Sequence, residues 1–180
     1  GYSFRQRGVY YWNLHVLSKF ADIKDFIILK LARELIAQGH RHTGALIESM
    51  EGRVHGIKGG IEIVIKANKY AIYLDKGVKA SRIPFGGKSR GGRSKYIEGL
   101  IAYFKKKGVA DPKGAAFATA RKQKEEGMPT RNSYKYSRNG KRKNFIGDTM
   151  EKHGKHIEDQ LLEAGFDDIN KKMNFMWNKF

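Results

Sequence analysis

Apolar and polar residues alternate over residues 61–67 with the period of two that is typical of a half-buried β-strand. One side carries Ile61, Ile63, Ile65 and Ala67, and the other carries Glu62, Val64 and Lys66. A weaker alternation precedes it over residues 50–57, and Gly59-Gly60 supplies the positive φ that a tight hairpin demands. The pattern predicts an antiparallel β-hairpin around which the rest of the chain is organised.

The residues before the hairpin predict an N-terminal arm followed by a helix. In the arm, residues 1–20, Tyr10, Trp12, Leu14 and Val16 alternate as in a strand. We expect this arm to pack either against a neighbouring subunit or against its own domain. Asp22 is placed to cap the helix, which we expect to end at Gly39 with its apolar residues on the sheet.

Two further helices follow the hairpin. The first is predicted from a Ser94 cap to Lys107, because Ile97, Leu100, Ile101 and Phe104 recur at helical spacing. The second has Asp111 at its cap and Pro112 at its first position, and it is expected to end at Gly127. We expect the two helices to form an antiparallel pair.

The C-terminal third predicts two more helices. Asp148 with Glu151 is typical of a helix start, and we expect that helix to break at Gly165. Residues 166–180 then predict a separate amphipathic helix. The predicted fold class is therefore α+β, with a small antiparallel sheet packed against about four to five helices and long basic loops.

Charge adds the strongest functional indication. The 180 residues contain 36 Lys and Arg against 18 Asp and Glu, a formal net charge of +18. Such an excess indicates an anionic partner, either nucleic acid or an acidic protein surface. Two basic loops without acids, 76–95 and 128–147, concentrate the charge, and we expect the first to stay mobile until a partner orders it.

The basic loops supply the candidate contact residues. Their side chains can neutralise phosphates without reading bases. A solvated loop with no specific partner is the alternative interpretation. The candidates are Arg82, Lys88, Arg90, Arg93, Arg138, Lys141, Arg142 and Lys143.

Other chemistry finds little support in the sequence. Gly87-Lys88-Ser89 imitates the end of a phosphate-binding loop, but Arg82 stands where that motif needs its first glycine. The pairs His40 with His42 and His153 with His156 lack an obvious third metal ligand, and there is no cysteine. We therefore expect no enzymatic activity, no cofactor and no metal site.

No apolar run approaches the ~20 residues of a membrane span, and no secretory signal is recognisable at the start. We therefore expect a soluble protein that is made in a cytoplasm and has no membrane partner.

Several short motifs occur in a shared order. After the first helix come Thr43-Gly44, Leu46 and Ser49, and after the hairpin come Tyr70-Ala71, Tyr73-Leu74-Asp75 and Gly77. Downstream lie Tyr96-Ile97, Ala115-Ala116-Phe117 and Glu126-Gly127-Met128-Pro129. In this order, over roughly residues 20 to 165, the chain resembles the head-tail joining and tail-completion proteins of tailed bacteriophages. It departs from that family by long basic insertions after Gly77 and Pro129.

The resemblance implies a head-tail connector domain over residues 21–165. It implies a non-enzymatic subunit of a homo-oligomeric ring in the virion neck, made in the host bacterial cytoplasm. It further implies about six or twelve copies per ring, in contact with the portal or adaptor ring, with tail proteins and with DNA in the channel. The alternative function is a basic nucleic-acid-binding module, for example a ribosome-associated or DNA-packaging protein.

Overall fold

The computed structural model describes residues 14–40, 44–57, 60–86 and 94–177. It is an α+β fold, as the sequence predicts, with a two-stranded antiparallel sheet. The elements are α1 (Leu14–Ala37), α2 (Ala45–Glu48), β1 (Glu51–Ile57), β2 (Gly60–Lys66), α3 (Ala71–Lys76), α4 (Lys95–Lys106), α5 (Pro112–Glu126) and α6 (Phe145–Trp177). Two short 3-10 helices, Ala80–Arg82 and Arg131–Tyr136, complete the described part.

The chain divides into two compact units. One, which we call the helix–hairpin unit, comprises Gly1–Ile36, Arg41–Lys69 and Ile146–Phe180. The other, which we call the basic unit, comprises Ala37–His40 and Tyr70–Phe145. The predicted connector domain, residues 21–165, is thus shared between two units. No helix within the described ranges is long and apolar enough to cross a membrane.

The hairpin is confirmed. Its register pairs Glu51 with Lys66 at the open end and Ile57 with Gly60 at the other. Gly60 therefore belongs to β2, and its predicted place in the turn is wrong. Ile61 and Ile63 of β2 are partly buried and pack against the core of the helix–hairpin unit, as expected for a half-buried strand.

The core of the helix–hairpin unit lies between α1 and α6. Val16, Phe20 and Ile23 of α1 are buried together with Ile157 and Ala164 of α6. The prediction of a strand reaching Val16, and of a helix start near Asp22, is wrong, because α1 begins at Leu14. Residues 1–13 of the predicted arm lie outside the described ranges.

The break predicted at Gly165 is also wrong. Helix α6 continues through that residue to Trp177, so the described part of 166–180 is not a separate helix. A glycine inside a helix costs only about 1 kcal/mol. The preceding Ala164 is 1% exposed, and its packing in the core helps to offset that cost. The helix also begins earlier than the predicted Asp148, at Phe145.

Both predicted caps of the basic unit are confirmed. The Ser94 side chain accepts from the N–H of Ile97, and the Asp111 side chain accepts from the N–H of Gly114. The Tyr96 hydroxyl, at the start of α4, donates to Oε1 of Gln123, near the end of α5. The two helices are therefore antiparallel, as predicted, and they bury Ile97, Ile101, Ala116 and Ala120 between them.

The described parts of the basic loops have structure of their own. Residues 80–82 form a 3-10 turn, and the following Ile83 is only 3% exposed. The prediction that this loop stays mobile is therefore wrong for residues 76–86. The cause is contact with residues distant in the sequence, since Val78 pairs with Met128 and the carbonyl of Ile83 accepts from Lys124, and no local pattern could indicate this.

Candidate nucleic-acid or partner interface

A two-residue antiparallel bridge joins the two basic loops. The N–H of Val78 donates to the carbonyl of Met128 at 2.8 Å, and the N–H of Met128 donates to the carbonyl of Val78 at 2.8 Å. The bridge connects the end of the Tyr70–Gly77 motif segment with the Gly127-Met128-Pro129 motif. Two motif segments that are far apart in the sequence thus meet.

Both neighbours of this bridge are glycines for a steric reason. Gly77 has φ 74° and Gly127 has φ 84°, a backbone region that residues with a side chain rarely adopt. A Cβ on Gly77 would collide with the carbonyl oxygen of Met128, and one on Gly127 would lie 2.5 Å from the carbonyl oxygen of Val78. The backbones can therefore approach closely only because both positions lack a Cβ.

A second backbone contact ties the loops together away from the bridge. The N–H of Asn144 donates to the carbonyl of Asp75 at 2.6 Å. Further along the first loop, the carbonyl of Ile83 accepts from Nζ of Lys124 at 3.1 Å. The start of the first loop is thus fixed to both the start and the end of the second.

Most described candidate contact residues are exposed. Arg82 ends the 3-10 turn of the first loop, while Arg138, Lys141 and Lys143 follow that of the second. The backbone of Arg138 is fixed, since its N–H donates to the carbonyl of Ala37 at 2.7 Å. The candidates Lys88, Arg90 and Arg93 fall in the gap 87–93, of which the structure gives no description.

Arg142 is placed differently from the other candidates. Its side chain is half-buried, and burial lowers the pKa of its guanidinium. Its Nε atom is buried and has no hydrogen-bond partner among the described residues. Its carbonyl accepts from Nε2 of His40 at 3.0 Å. This placement favours a structural role for Arg142, with less access to a partner than its neighbours in the sequence have.

His40 is packed into the same part of the basic unit. Burial lowers the pKa of the His40 imidazole, and the positive charge of Arg142 lowers it further. The hydrogen bond to the Arg142 carbonyl acts weakly in the opposite direction. His40 is therefore held in its neutral form over a wider pH range than a free histidine.

The positive charge is very unevenly shared between the two units. The basic unit contains 20 of the 36 Lys and Arg but only 5 of the 18 Asp and Glu, a formal net charge of +15. The helix–hairpin unit carries the remaining +3. Almost the whole excess therefore belongs to the unit in which the two basic loops are joined.

The first group of motif residues lies in the helix–hairpin unit. Gly44 precedes α2, and Leu46 within it is 4% exposed. The hydroxyl of Ser49 donates to the carbonyl of Leu46 at 2.8 Å and accepts from the N–H of Asn68 at 3.0 Å. These residues tie α2 to the segment that follows β2. Thr43 precedes the described range that starts at residue 44.

The second group of motif residues forms α3. The carbonyl of Tyr70 accepts from the N–H groups of Tyr73 and Leu74, at 3.0 and 3.3 Å. Ala71 and Leu74 are half-buried, whereas Ile72 and Tyr73 are 56% and 55% exposed. One side of this short helix is therefore apolar and open to solvent.

The second histidine pair of the sequence lies beside an aromatic ring. His153 and His156 of α6 lie against the ring of Phe26, with centroids 6.0 and 5.0 Å away, and Nζ of Lys30 lies 4.8 Å from the same ring. Burial lowers the pKa of His153, as do the charges of Lys30 and Lys152. Within 14–40, 44–57, 60–86 and 94–177, no group of three or more His, Asp or Glu could hold a metal ion. His42 and the Gly87-Lys88-Ser89 segment fall in gaps between those ranges.

Sequence reasoning missed the residues that connect the candidate segments. Val78, Met128 and Asn144 act through their backbones, and a backbone contact leaves no signature in residue type. The exposed Ile72 could have been noticed, since it stands beside Tyr73 in a helix too short to bury both.

Comparison of the chain with protein-family models, with curated proteins and with solved structures finds no match in any of the three.

Proposed function

We propose that this protein is a non-enzymatic structural subunit of a homo-oligomeric ring in the neck of a tailed bacteriophage, where it joins the portal or adaptor ring to the tail. The proposal starts from the ordered motifs of the sequence. Its structural support is that the motif segments take part in joining distant parts of the chain and that one of them exposes apolar side chains.

The observation that carries the proposal is the exposure of Ile72 and Tyr73. A large aliphatic and a large aromatic side chain lie side by side on α3, each more than half exposed, in the middle of the Tyr70–Gly77 motif. Neither contributes much to the core of the basic unit. Contiguous apolar surface on a soluble protein is typical of a contact with another protein. A subunit contact gives these two side chains the packing that the single chain lacks.

A second exposed apolar pair lies on the helix–hairpin unit. Leu162 and Phe166, one turn apart on α6, are 51% and 61% exposed. A ring requires two different surfaces on each copy, because one surface of a subunit meets another surface of the next. The α3 pair and the α6 pair supply two such surfaces on one chain.

The decisive experiment is a reconstruction of virions at side-chain resolution, with antibody or gold labelling to locate this chain. We expect a closed ring of about six or twelve copies in the neck, as the resemblance implies, with Ile72 and Tyr73 buried at a subunit contact. Copies found singly, or elsewhere in the particle, would contradict the proposal.

A further inference from the structure

The basic unit brings together two charged segments that the sequence keeps apart. Lys76 and Lys79 lie on either side of Val78, which forms the bridge with Met128. Arg131 begins the 3-10 helix that follows Met128 in the sequence. The Asn144–Asp75 hydrogen bond holds the far end of the second segment beside the start of the first. The two basic segments are therefore neighbours in space.

Eight basic side chains are exposed in residues 76–86 and 127–147. No Asp or Glu occurs from residue 76 to 97 or from 127 to 147. Glu126, directly before the second segment, accepts from the N–H of Arg131 at 2.8 Å and so places one carboxylate beside that member of the set. We call this set the joined basic surface. It consists of Lys76, Lys79, Arg82, Arg131, Lys135, Arg138, Lys141 and Lys143.

The composition of this surface distinguishes between the two classes of anionic partner. Five of its eight members are lysines, and lysine is depleted at protein–protein interfaces while arginine and aromatic residues are enriched there. The lysine ammonium is a compact charge that neutralises phosphates without requiring a fixed geometry. The surface therefore fits a nucleic-acid backbone better than an acidic protein face.

The fixed backbone of the joined basic surface also fits a partner whose charges repeat along its length. The charged side chains project from backbone that is held by the bridge, by the Asn144–Asp75 bond and by the bond from the Arg138 N–H to the Ala37 carbonyl. Fixed backbone with flexible charged side chains lets each cation reach a nearby phosphate in any base sequence. Recognition of this kind depends on charge spacing and carries no sequence preference.

We propose that the joined basic surface binds the phosphodiester backbone of nucleic acid without sequence specificity, using both basic segments at once. This inference goes beyond ring assembly and does not depend on it, since it concerns the surface of one chain.

The test measures binding of the full chain to a fluorescently labelled 20-base-pair DNA duplex by anisotropy, from 50 to 200 mM salt. Two duplexes of unrelated sequence and a single strand of the same length are compared. We expect dissociation constants of about 10⁻⁶ to 10⁻⁴ M near physiological salt, equal for the two duplexes. The plot of log affinity against log salt should have a slope no steeper than about −7, the value for eight phosphate contacts.

Charge-neutralised variants locate the surface. Replacing two residues in each segment, Lys79→Gln and Arg82→Gln with Arg138→Gln and Lys143→Gln, should make the slope shallower by about 3 to 4. The control removes four exposed charges from the helix–hairpin unit and should leave the slope within about one of the original. It combines Arg33→Gln, Arg53→Gln, Lys66→Gln and Lys69→Gln.

Two half variants test whether both segments act together. The pair Lys79→Gln with Arg82→Gln, and the pair Arg138→Gln with Lys143→Gln, should each make the slope shallower by about two. Far-ultraviolet circular dichroism confirms that each variant is folded, and light scattering reports its oligomeric state, so that loss of ring assembly is recognised separately from loss of binding.

Three outcomes would overturn the proposal. The first is equal loss of binding in the four-residue variant and its control, which would mean that net charge alone is responsible. The second is an effect from only one half variant, which would show that the segments do not form one surface. The third is tighter binding to a labelled poly-glutamate peptide than to either form of DNA, which would assign the surface to an acidic protein partner.

Discussion

The carbonyl oxygen of Met128 occupies the space that a Cβ on Gly77 would need, so a side chain at this position would overlap with that oxygen. The two residues lie beside the bridge that joins the two basic loops. Because Gly77 also has φ 74°, both the space and the backbone conformation depend on the absence of a side chain. This position therefore controls whether the two charged segments can meet.

Gly77→Ala is expected to destabilise the protein by about 1–3 kcal/mol, because the new Cβ must displace the Met128 backbone and the residue must keep a strained φ. Urea denaturation followed by circular dichroism measures the change in the free energy of unfolding. If binding to DNA uses both segments, the same variant should also make the salt slope of binding shallower.

Gly99→Ala is the matched control for that substitution. Gly99 is an exposed residue of α4, and a Cβ there meets nothing within 4 Å. Replacing a helical glycine by alanine should stabilise the protein by roughly 0.5–1 kcal/mol. Equal free energies of unfolding for the two variants would show that the close approach at Gly77 has no energetic consequence.

Local signals in the sequence predicted the elements that depend on them. Ser94 and Asp111 cap helices where predicted, since a cap needs only residues within one turn. Val16 was misplaced because its spacing from Leu14 suits a strand, while its spacing from Phe20 and Ile23 suits a helix equally well. Only burial against α6 decides between the two.

The contacts that build the candidate site could not be predicted from sequence. The Val78–Met128 bridge and the Asn144–Asp75 bond use backbone atoms of distant segments. The same limitation applies to Arg142, whose residue type predicted an exposed contact although its side chain is half-buried. Residue type indicates which chemistry is available, and only the fold shows where each residue lies.

The ion pair between Glu34 and Lys152 should stabilise the helix–hairpin unit. Lys152 Nζ lies 2.6 Å from Oε2 of Glu34, whose side chain is 8% exposed. Lys152→Met removes the cation beside a buried carboxylate and is expected to cost about 1–2 kcal/mol, less than for a fully buried pair because Lys152 is half-exposed. Adding Glu34→Gln should recover part of that loss, which a double-mutant cycle of urea unfolding measures.

Lys155→Met is the control for this ion pair. Lys155 lies 2.9 Å from Asp159 and 3.8 Å from Glu158, but all three side chains are largely exposed. Exposed pairs are screened by water and salt, so this variant should unfold almost like the parent protein. A cost as large as that of Lys152→Met would show that burial of Glu34 is not the reason for the effect.

Stability should fall as the pH drops below about 6.5, the ordinary pKa of histidine. The pKa of His40 in the folded protein lies below that value because of burial and the charge of Arg142. The unfolded chain therefore binds more protons over this range, and acid favours unfolding. His153, whose pKa is lowered by burial and neighbouring charges, contributes with the same sign.

The variant His40→Gln should weaken this pH dependence while keeping a donor for the Arg142 carbonyl. Urea midpoints measured at pH 5.0 and 7.5 should differ less in the variant than in the parent, with a residual difference from His153. His55→Gln, at an exposed position of β1, is the control and should retain the parent's dependence. An unchanged difference in His40→Gln would remove His40 as a source of acid sensitivity.

The apolar side of α3 provides the test of ring assembly in solution. Replacing Ile72 and Tyr73 by serine should change the free energy of unfolding of the monomer little, because both side chains are more than half exposed. Self-association, followed by light scattering over a range of concentrations, should weaken at least tenfold, since central aromatic and aliphatic anchors dominate protein interfaces. The control Val109→Ser replaces an apolar side chain, 38% exposed, after α4 and should leave association unchanged. If both variants self-associate as strongly as the parent protein does, α3 is not part of the subunit contact.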